Sequence, residues 1–244
     1  PVRWKPPGKM LPDGLRIVMI QLLQSIDWFP LRLSLKVAII ATALSLVMGI
    51  ALAFTLARLR FRGRDALDAF ITLPIVLPPT VLGYYLLVLI GRNSAIGKVF
   101  EAVFGSPLVF TWHSAVLAAM LHSIPLLVKS SRAALESVDL SIENAARTLG
   151  ASESRIFFKI TLPLARRSIL AATAFAFARA LGDFGVTIMI AGNIPGQTQT
   201  MSVAIYDAVQ AGRNGPALAM VVIISAITLG ILFLTNRLQG EHSH

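Results

Sequence analysis

Arg179 and Asp183 stand four residues apart in an otherwise apolar stretch, Ser168 to Ala191. On a helix that spacing puts both on one face. Ionised groups in such a setting are costly unless they pair or face water. Two chemistries fit. The pair neutralises itself, or Arg179 attracts an anion in transit. The first is favoured, because a tight anion site would also slow release. His113 and His122 also lie in apolar sequence, nine residues apart. That is about two and a half helical turns, so the two rings point to different faces and share no metal. An acid–base pair of Asp183 with a histidine would need hydrogen-bond reach between two separate stretches, and no catalytic spacing supports it. Gly91-Arg92-Asn93-Ser94-Ala95-Ile96-Gly97-Lys98 comes near a phosphate-binding loop. That motif needs four residues between its glycines and Ser or Thr after the lysine. Here five intervene and Val99 follows. Any energy source is therefore expected on another chain. The absence of cysteine removes disulfides, haem attachment and thiolate metal sites. The expectation is a chain with no catalytic residues, no metal and no cofactor of its own.

What must position these groups is a set of membrane helices. Of 244 residues, 55% are hydrophobic and only 14% charged, against about a quarter charged in soluble domains. About 20 apolar residues cross the hydrocarbon core as a helix. Five runs reach that length: 37–57, 69–91, 107–128, 168–191 and 216–235. Backbone groups cannot stay unpaired in lipid, so the runs should be helical. The predicted fold is all-α, a polytopic transmembrane helix bundle over 37–238. It has five spans, or six if residues 1–36 also cross. Leu15 to Ile26 is apolar but interrupted by Arg16, Gln21 and Gln24, which predicts an interfacial helix there.

The net charge of +10 fits topology and lipid headgroups better than nucleic acid, since no basic patch interleaved with aromatics occurs. Four arginines fall within Arg58-Leu59-Arg60-Phe61-Arg62-Gly63-Arg64 and mark that loop as inside. Threading the spans places 129–167 and the C-terminus inside. The inside segments then carry four, seven and one basic residues, and the two outside loops two and one. The N-terminal segment, with six, runs against the rule.

The long inside loop, 129–167, is the main polar segment. Asp139 or Ser141 can cap a short helix that has Glu143 in its first turn and Gly150 at its end. A second helix is expected from Ser152 or Ser154, stopping at Leu162-Pro163. By pattern alone this is a helix–turn–helix knob, fit either for a groove on another protein or for packing on its own bundle.

Ala145-Ala146-x-x-x-Gly150, nine residues, then Ile160-x-Leu162-Pro163 resembles the cytoplasmic signature of bacterial ABC importer permeases. The glutamate that opens that signature is replaced here by Asn144, with Glu143 one residue earlier. The stretches Leu73 to Gly83, Phe177 to Gly185 and Asn193-Ile194-Pro195-Gly196 bring the chain nearest to molybdate/tungstate permeases, with sulfate permeases sharing the general pattern. The resemblance implies an inner-membrane importer subunit working by alternating access. Its implied partners are two copies of an ATP-binding subunit carrying ATP and Mg, an outer oxyanion-binding protein, membrane lipid and a second copy of this chain. Nucleic acid is not among them. It also implies that Glu143, Asn144, Ala145, Ala146, Gly150, Ile160, Leu162 and Pro163 form the ATPase-coupling loop.

Pro74, Pro78 and Pro79 interrupt the second run. Proline removes a backbone hydrogen bond and clashes with the preceding turn, so this helix should kink or break. The break would line the pathway or simply improve packing, and Gly83 would add flexibility or close contact. With Arg179 and Asp183, these are the candidate pathway residues.

Overall fold

The computed structural model describes residues 27–240, so the interfacial helix expected at Leu15 to Ile26 lies outside the described residues. The helices in chain order are α1 (Phe29–Arg58), α2 (Arg64–Val76), α3 (Pro79–Ile90), α4 (Ala95–Phe104) and α5 (Trp112–Glu136). Then come α6 (Leu140–Thr148), α7 (Glu153–Leu181), α8 (Gly185–Ile190), α9 (Met201–Gln210) and α10 (Asn214–Gly240). Four of them, α1, α5, α7 and α10, are long and apolar enough to cross a membrane, and the bent pair α2–α3 makes a fifth. No strand occurs among the described residues.

The centre of the bundle is α1 against α5, with α7 beside both. Leu33, Val37, Ala38 and Ala41 meet Ala115, Ala119 and Met120, and Ala180 and Leu181 of α7 close the cluster. The contacts are rich in alanine because lipid tails are as apolar as leucine. Helices in a membrane therefore gain by close approach rather than by hiding from water. Gly49 continues the pattern: a Cβ there would stand 2.9 Å from Leu127 Cβ. At the arginine-rich end, Ala53, Leu135, Val138, Ala165 and Ile169 form a second cluster.

The second apolar run does not cross as one helix. It turns by 114° between α2 and α3. Leu77 precedes one proline and Pro78 precedes another, and a residue before proline is pushed out of the helical region. Both are extended, with ψ of 143° and 138°. Pro79 then opens α3, where its missing N–H is no loss. Pro74 lies inside α2.

Two other runs differ from the sequence reading. Pro163 does not stop the second loop helix. The chain passes it through a wide π turn, Phe157–Thr161, in which the Leu162 N–H donates to Phe157 O five residues back. A proline inside a helix crowds the preceding turn, and the widened turn gives that ring room. The helix therefore runs unbroken from Glu153 to Leu181. The expected span 168–191 instead breaks at Gly182 and Asp183, and α8 follows. Much of the predicted loop 129–167 is thus helix, because α5 extends to Glu136 and α7 begins at Glu153.

Candidate functional site

Two polar centres stand out of this apolar bundle. One is the short helix α6 at the arginine-rich end, and the other is the buried charge cluster at the α7–α8 break.

Helix α6 is built by its own caps. The Asp139 carboxylate accepts from the Ser141 N–H at 2.8 Å, which satisfies one of the free donors of the first turn. That hydrogen bond also holds the Asp139 carboxyl below the usual carboxylate range. At the other end Gly150 takes φ +81°, a left-handed conformation that residues with a Cβ rarely adopt. The Ala151 N–H then reaches back to Ala146 O at 3.0 Å. The Arg147 guanidinium joins α6 to α7, donating to Glu153 at 2.6 and 2.9 Å.

The faces of α6 are sharply different. Leu140, Ile142, Asn144 and Ala145 are exposed, as is Leu149 just beyond the helix, with 87% of its surface uncovered. Ala146 is half-buried. The apolar side chains of α6 therefore lie open rather than packing on the bundle. Asn144 only accepts a local bond from Arg147 at 2.8 Å. The acid one residue earlier has the opposite environment: Glu143 is 2% exposed. Its Oε1 accepts from Arg58 Nη2 at 2.6 Å and from Thr161 Oγ1 at 2.8 Å. Ile160 and Leu162 are half-buried at the start of α7, and Pro163 is exposed.

The second centre gathers Arg179, Asp183 and His122. Asp183 Oδ1 lies 3.2 Å from Arg179 Nη1 and 3.1 Å from His122 Nδ1. Its Oδ2 accepts from the Thr187 N–H and Oγ1 at 3.2 and 2.7 Å. Asp183 thus pairs with Arg179 and also caps α8, which is why the helix can break there. The acid–histidine proximity required for bond chemistry is met, but both side chains are buried and border none of the larger cavities. Arg179, the third member, keeps 37% of its side chain exposed. His113 is remote from this pair, at the start of α5 beside Trp112.

Around the break, α8 and α3 come together through glycines. A Cβ on Gly83 would stand 2.7 Å from Met189 Cβ, and one on Gly185 would stand 2.5 Å from Pro79 Cβ. Gly83 therefore serves close helix contact. Pro78 and Pro79 set the bend that brings α3 there. On the other side of α7, a groove of about 800 Å³ opens between α7, α9 and α10, lined by Ala178, Gly182, Phe184, Tyr206, Ser225 and Thr228 among others. Among the described residues no cluster of His, Cys, Asp or Glu could hold a metal.

Two partners were not legible as site residues in the sequence: Arg58 reads as a topology arginine and Thr161 as one residue of an apolar helix. His122 reads as a histidine that could pair with Asp183, but no spacing in the sequence brings the two together. The motif spacing marks the neighbourhood of Thr161, but nothing local points from Glu143 to Arg58.

A bundle of broken spans with a short polar helix held at one end defines the class, a multi-pass helical membrane protein. The chain belongs to the family described as the binding-protein-dependent transport system inner membrane component, whose model matches residues 45–240. It is 46% identical over 208 residues to the molybdenum transport system permease protein ModB of Escherichia coli (strain K12), covering 84% of this chain and 91% of that one. It is 42% identical over 215 residues to the putative molybdenum transport system permease protein YvgM of Bacillus subtilis (strain 168), covering 88% and 93%. The sulfate transport system permease protein CysT of Salmonella typhimurium is 36% identical over 210 residues, covering 86% of this chain and 76% of that one. Among solved structures, the fold is shared with a bacterial ABC transporter that imports alginate, at TM-score 0.69 and 16% identity over 93% of this chain and 84% of that one. The MetNI methionine ABC transporter follows at 0.65 and 14%, covering 93% and 97%.

Proposed function

We propose that this chain is the membrane-embedded subunit of an ATP-driven importer for a tetrahedral oxyanion, molybdate or tungstate. The observation that carries the reading is the 46% identity to a molybdenum permease over 84% of the chain, a stretch long enough to include both polar centres. The exposed apolar face of α6 supports a separate ATPase subunit below it. In this reading Ile142, Ala145 and Leu149, which share one face, enter a cleft on that subunit, and Asn144, Ala146 and Gly150 shape the knob. ATP and Mg bind on the partner, and this chain makes and breaks no covalent bond.

The mechanism is alternating access. A soluble binding protein delivers the anion at the outer face, and ATPase closure moves α6. The bent pair α2–α3 and the break at Asp183 are the places where helix segments can shift against each other. The groove beside Tyr206 and the largely uncovered α10 suit a second copy of this chain across the pathway. Two permease copies then sit on two ATPase copies. Import requires that the anion be held differently in the outward and inward states, and most selectivity falls to the delivery protein.

The test is ATP-dependent uptake in liposomes containing this chain, its ATPase and its binding protein, with molybdate against sulfate. Molybdate uptake that is lost on replacing Gly150 by leucine supports the reading. Sulfate uptake alone would move the chain to the sulfate importers, a second reading favoured by the 36% identity to CysT. Uptake without any ATPase would make it a stand-alone transporter and overturn the proposal.

A further inference from the structure

Glu143 is the single buried residue of α6. The helix otherwise stands off the bundle. Between it and the helices above lies a cavity of about 430 Å³, lined by Phe54, Arg58, Leu140, Phe157 and Thr161 among others. Polar contacts join α6 to the membrane helices: the exposed Arg147–Glu153 pair ties it to α7, and the buried carboxylate of Glu143 ties it to more than one helix. Its Oε1 holds Arg58 Nη2, on the last residue of α1, at 2.6 Å and Thr161 Oγ1, in the π turn of α7, at 2.8 Å. The same Arg58 nitrogen donates to Leu135 O at the end of α5, at 2.9 Å. Glu143 Oε2 lies 3.6 Å from Arg147, back on α6 itself. The end of α1 and the π turn of α7 thus meet one side chain of α6 directly, and the end of α5 reaches it through Arg58.

We infer that Glu143 is a clasp: a positioning residue that makes α6 move as one body with the ends of α1, α5 and α7. The inference rests on the proposed importer function, since only a chain driven from outside the membrane needs such a link. A buried carboxylate bonded to a guanidinium and a hydroxyl is short-range and directional, so it transmits displacement where a loosely filled cavity would absorb it. The π turn belongs to the same device. It reshapes the start of α7 where Thr161 faces Glu143, and π turns often fall at functional positions in helices. Asn144, where related permeases carry the signature glutamate, is left exposed for the partner. The two neighbouring positions divide the work, one facing the motor and one facing the bundle.

The test uses Glu143→Gln, which keeps size and removes charge, in the full transporter in liposomes. Both ATP hydrolysis and molybdate uptake are measured. The expected result is continued association with the ATPase and continued hydrolysis, with uptake per ATP lower by roughly tenfold or more, as for loss of one partner from a buried ion pair. Arg58→Lys, which keeps the charge, and Thr161→Val, which removes only the hydroxyl, should each lower the coupling by less than Glu143→Gln. A second readout does not depend on the substrate. The chain has no cysteine, so spin labels at Arg60→Cys and Thr148→Cys report the distance between the α1 end and α6. That distance should stay fixed between nucleotide-free and ATP-trapped states, and should broaden in Glu143→Gln. An unchanged uptake-to-ATP ratio together with an unchanged label distance overturns the clasp. If Glu143→Gln does not assemble, Thr161→Val and Arg58→Lys decide on the same two readouts. Failure of the unsubstituted protein to take up molybdate overturns the importer reading instead, while the label distance still decides the clasp.

Discussion

His122 Nδ1 and Asp183 Oδ1 lie 3.1 Å apart, joining the middle of α5 to the break between α7 and α8. Asp183 is 3% exposed and also holds Arg179 and Thr187, so its carboxylate is the common partner of three side chains. Removing Asp183 leaves the buried Thr187 and His122 side chains without that acceptor, at about 1–3 kcal/mol, while the partly exposed Arg179 turns to solvent. Asp183→Ala should lower the thermal unfolding midpoint in detergent sharply, and Asp183→Asn, which still accepts from Thr187, should lower it less. Equal midpoints for Asp183→Ala and the unsubstituted protein would show that the cluster contributes nothing to stability.

Gly185 and Gly230 make a matched pair of substitutions. A Cβ on Gly185 meets the rigid Pro79 ring at 2.5 Å, while one on Gly230 meets nothing within 4 Å. Gly185→Ala should cost about 1–3 kcal/mol by overpacking the α3–α8 contact, and Gly230→Ala should be neutral or slightly stabilising. Unfolding midpoints measured side by side check this.

At Gly150 the obstacle is backbone conformation rather than space. No atom lies within 4 Å of an added Cβ, but φ is +81°. Asn, which tolerates the left-handed region, should retain more ATP-driven uptake than Ala, and a β-branched Val should retain the least. Retention ordered by side-chain volume instead would place a partner surface against Gly150.

Asp139 gives α6 a pH-dependent start. Its folded carboxyl sits below the ordinary value because the ionised form accepts from Ser141. A depressed folded value adds stability above the unfolded value, and that contribution is lost as pH falls through the folded one. The cap should therefore be fully present at neutral pH and fade only below about pH 4. Asp139→Ala should speed amide hydrogen exchange in Leu140–Thr148 several-fold at neutral pH, and Asp139→Asn should restore protection.

The exposed Leu149 separates docking from folding. With 87% of its surface uncovered, Leu149→Glu should leave the unfolding midpoint unchanged and abolish co-purification with the ATPase subunit. A lowered midpoint with intact co-purification would place Leu149 against its own chain.

The sequence by itself determined what depends on short stretches of chain. Apolar length located the spans carried by α1, α5 and α10, while the runs 69–91 and 168–191 are each broken in the fold. The Leu77-Pro78-Pro79 run set where α2 and α3 part, because proline sterics act on the adjacent residue. Asp139 and Gly150 set the ends of α6 for the same local reason. Tertiary structure decided what depends on which faces meet. Glu143 and Arg58 are 85 residues apart, and no periodicity links them; Arg58 reads as one of several inside arginines until α1 and α6 are brought together. His122 finds Asp183 only when α5 packs on α7. Pro163 gave the wrong local signal, because a π turn supplied the room that an α-helical turn lacks. Local sterics act within a few residues and can be read in order. Buried charge pairs depend on the burial that creates them, which exists only once the helices have packed.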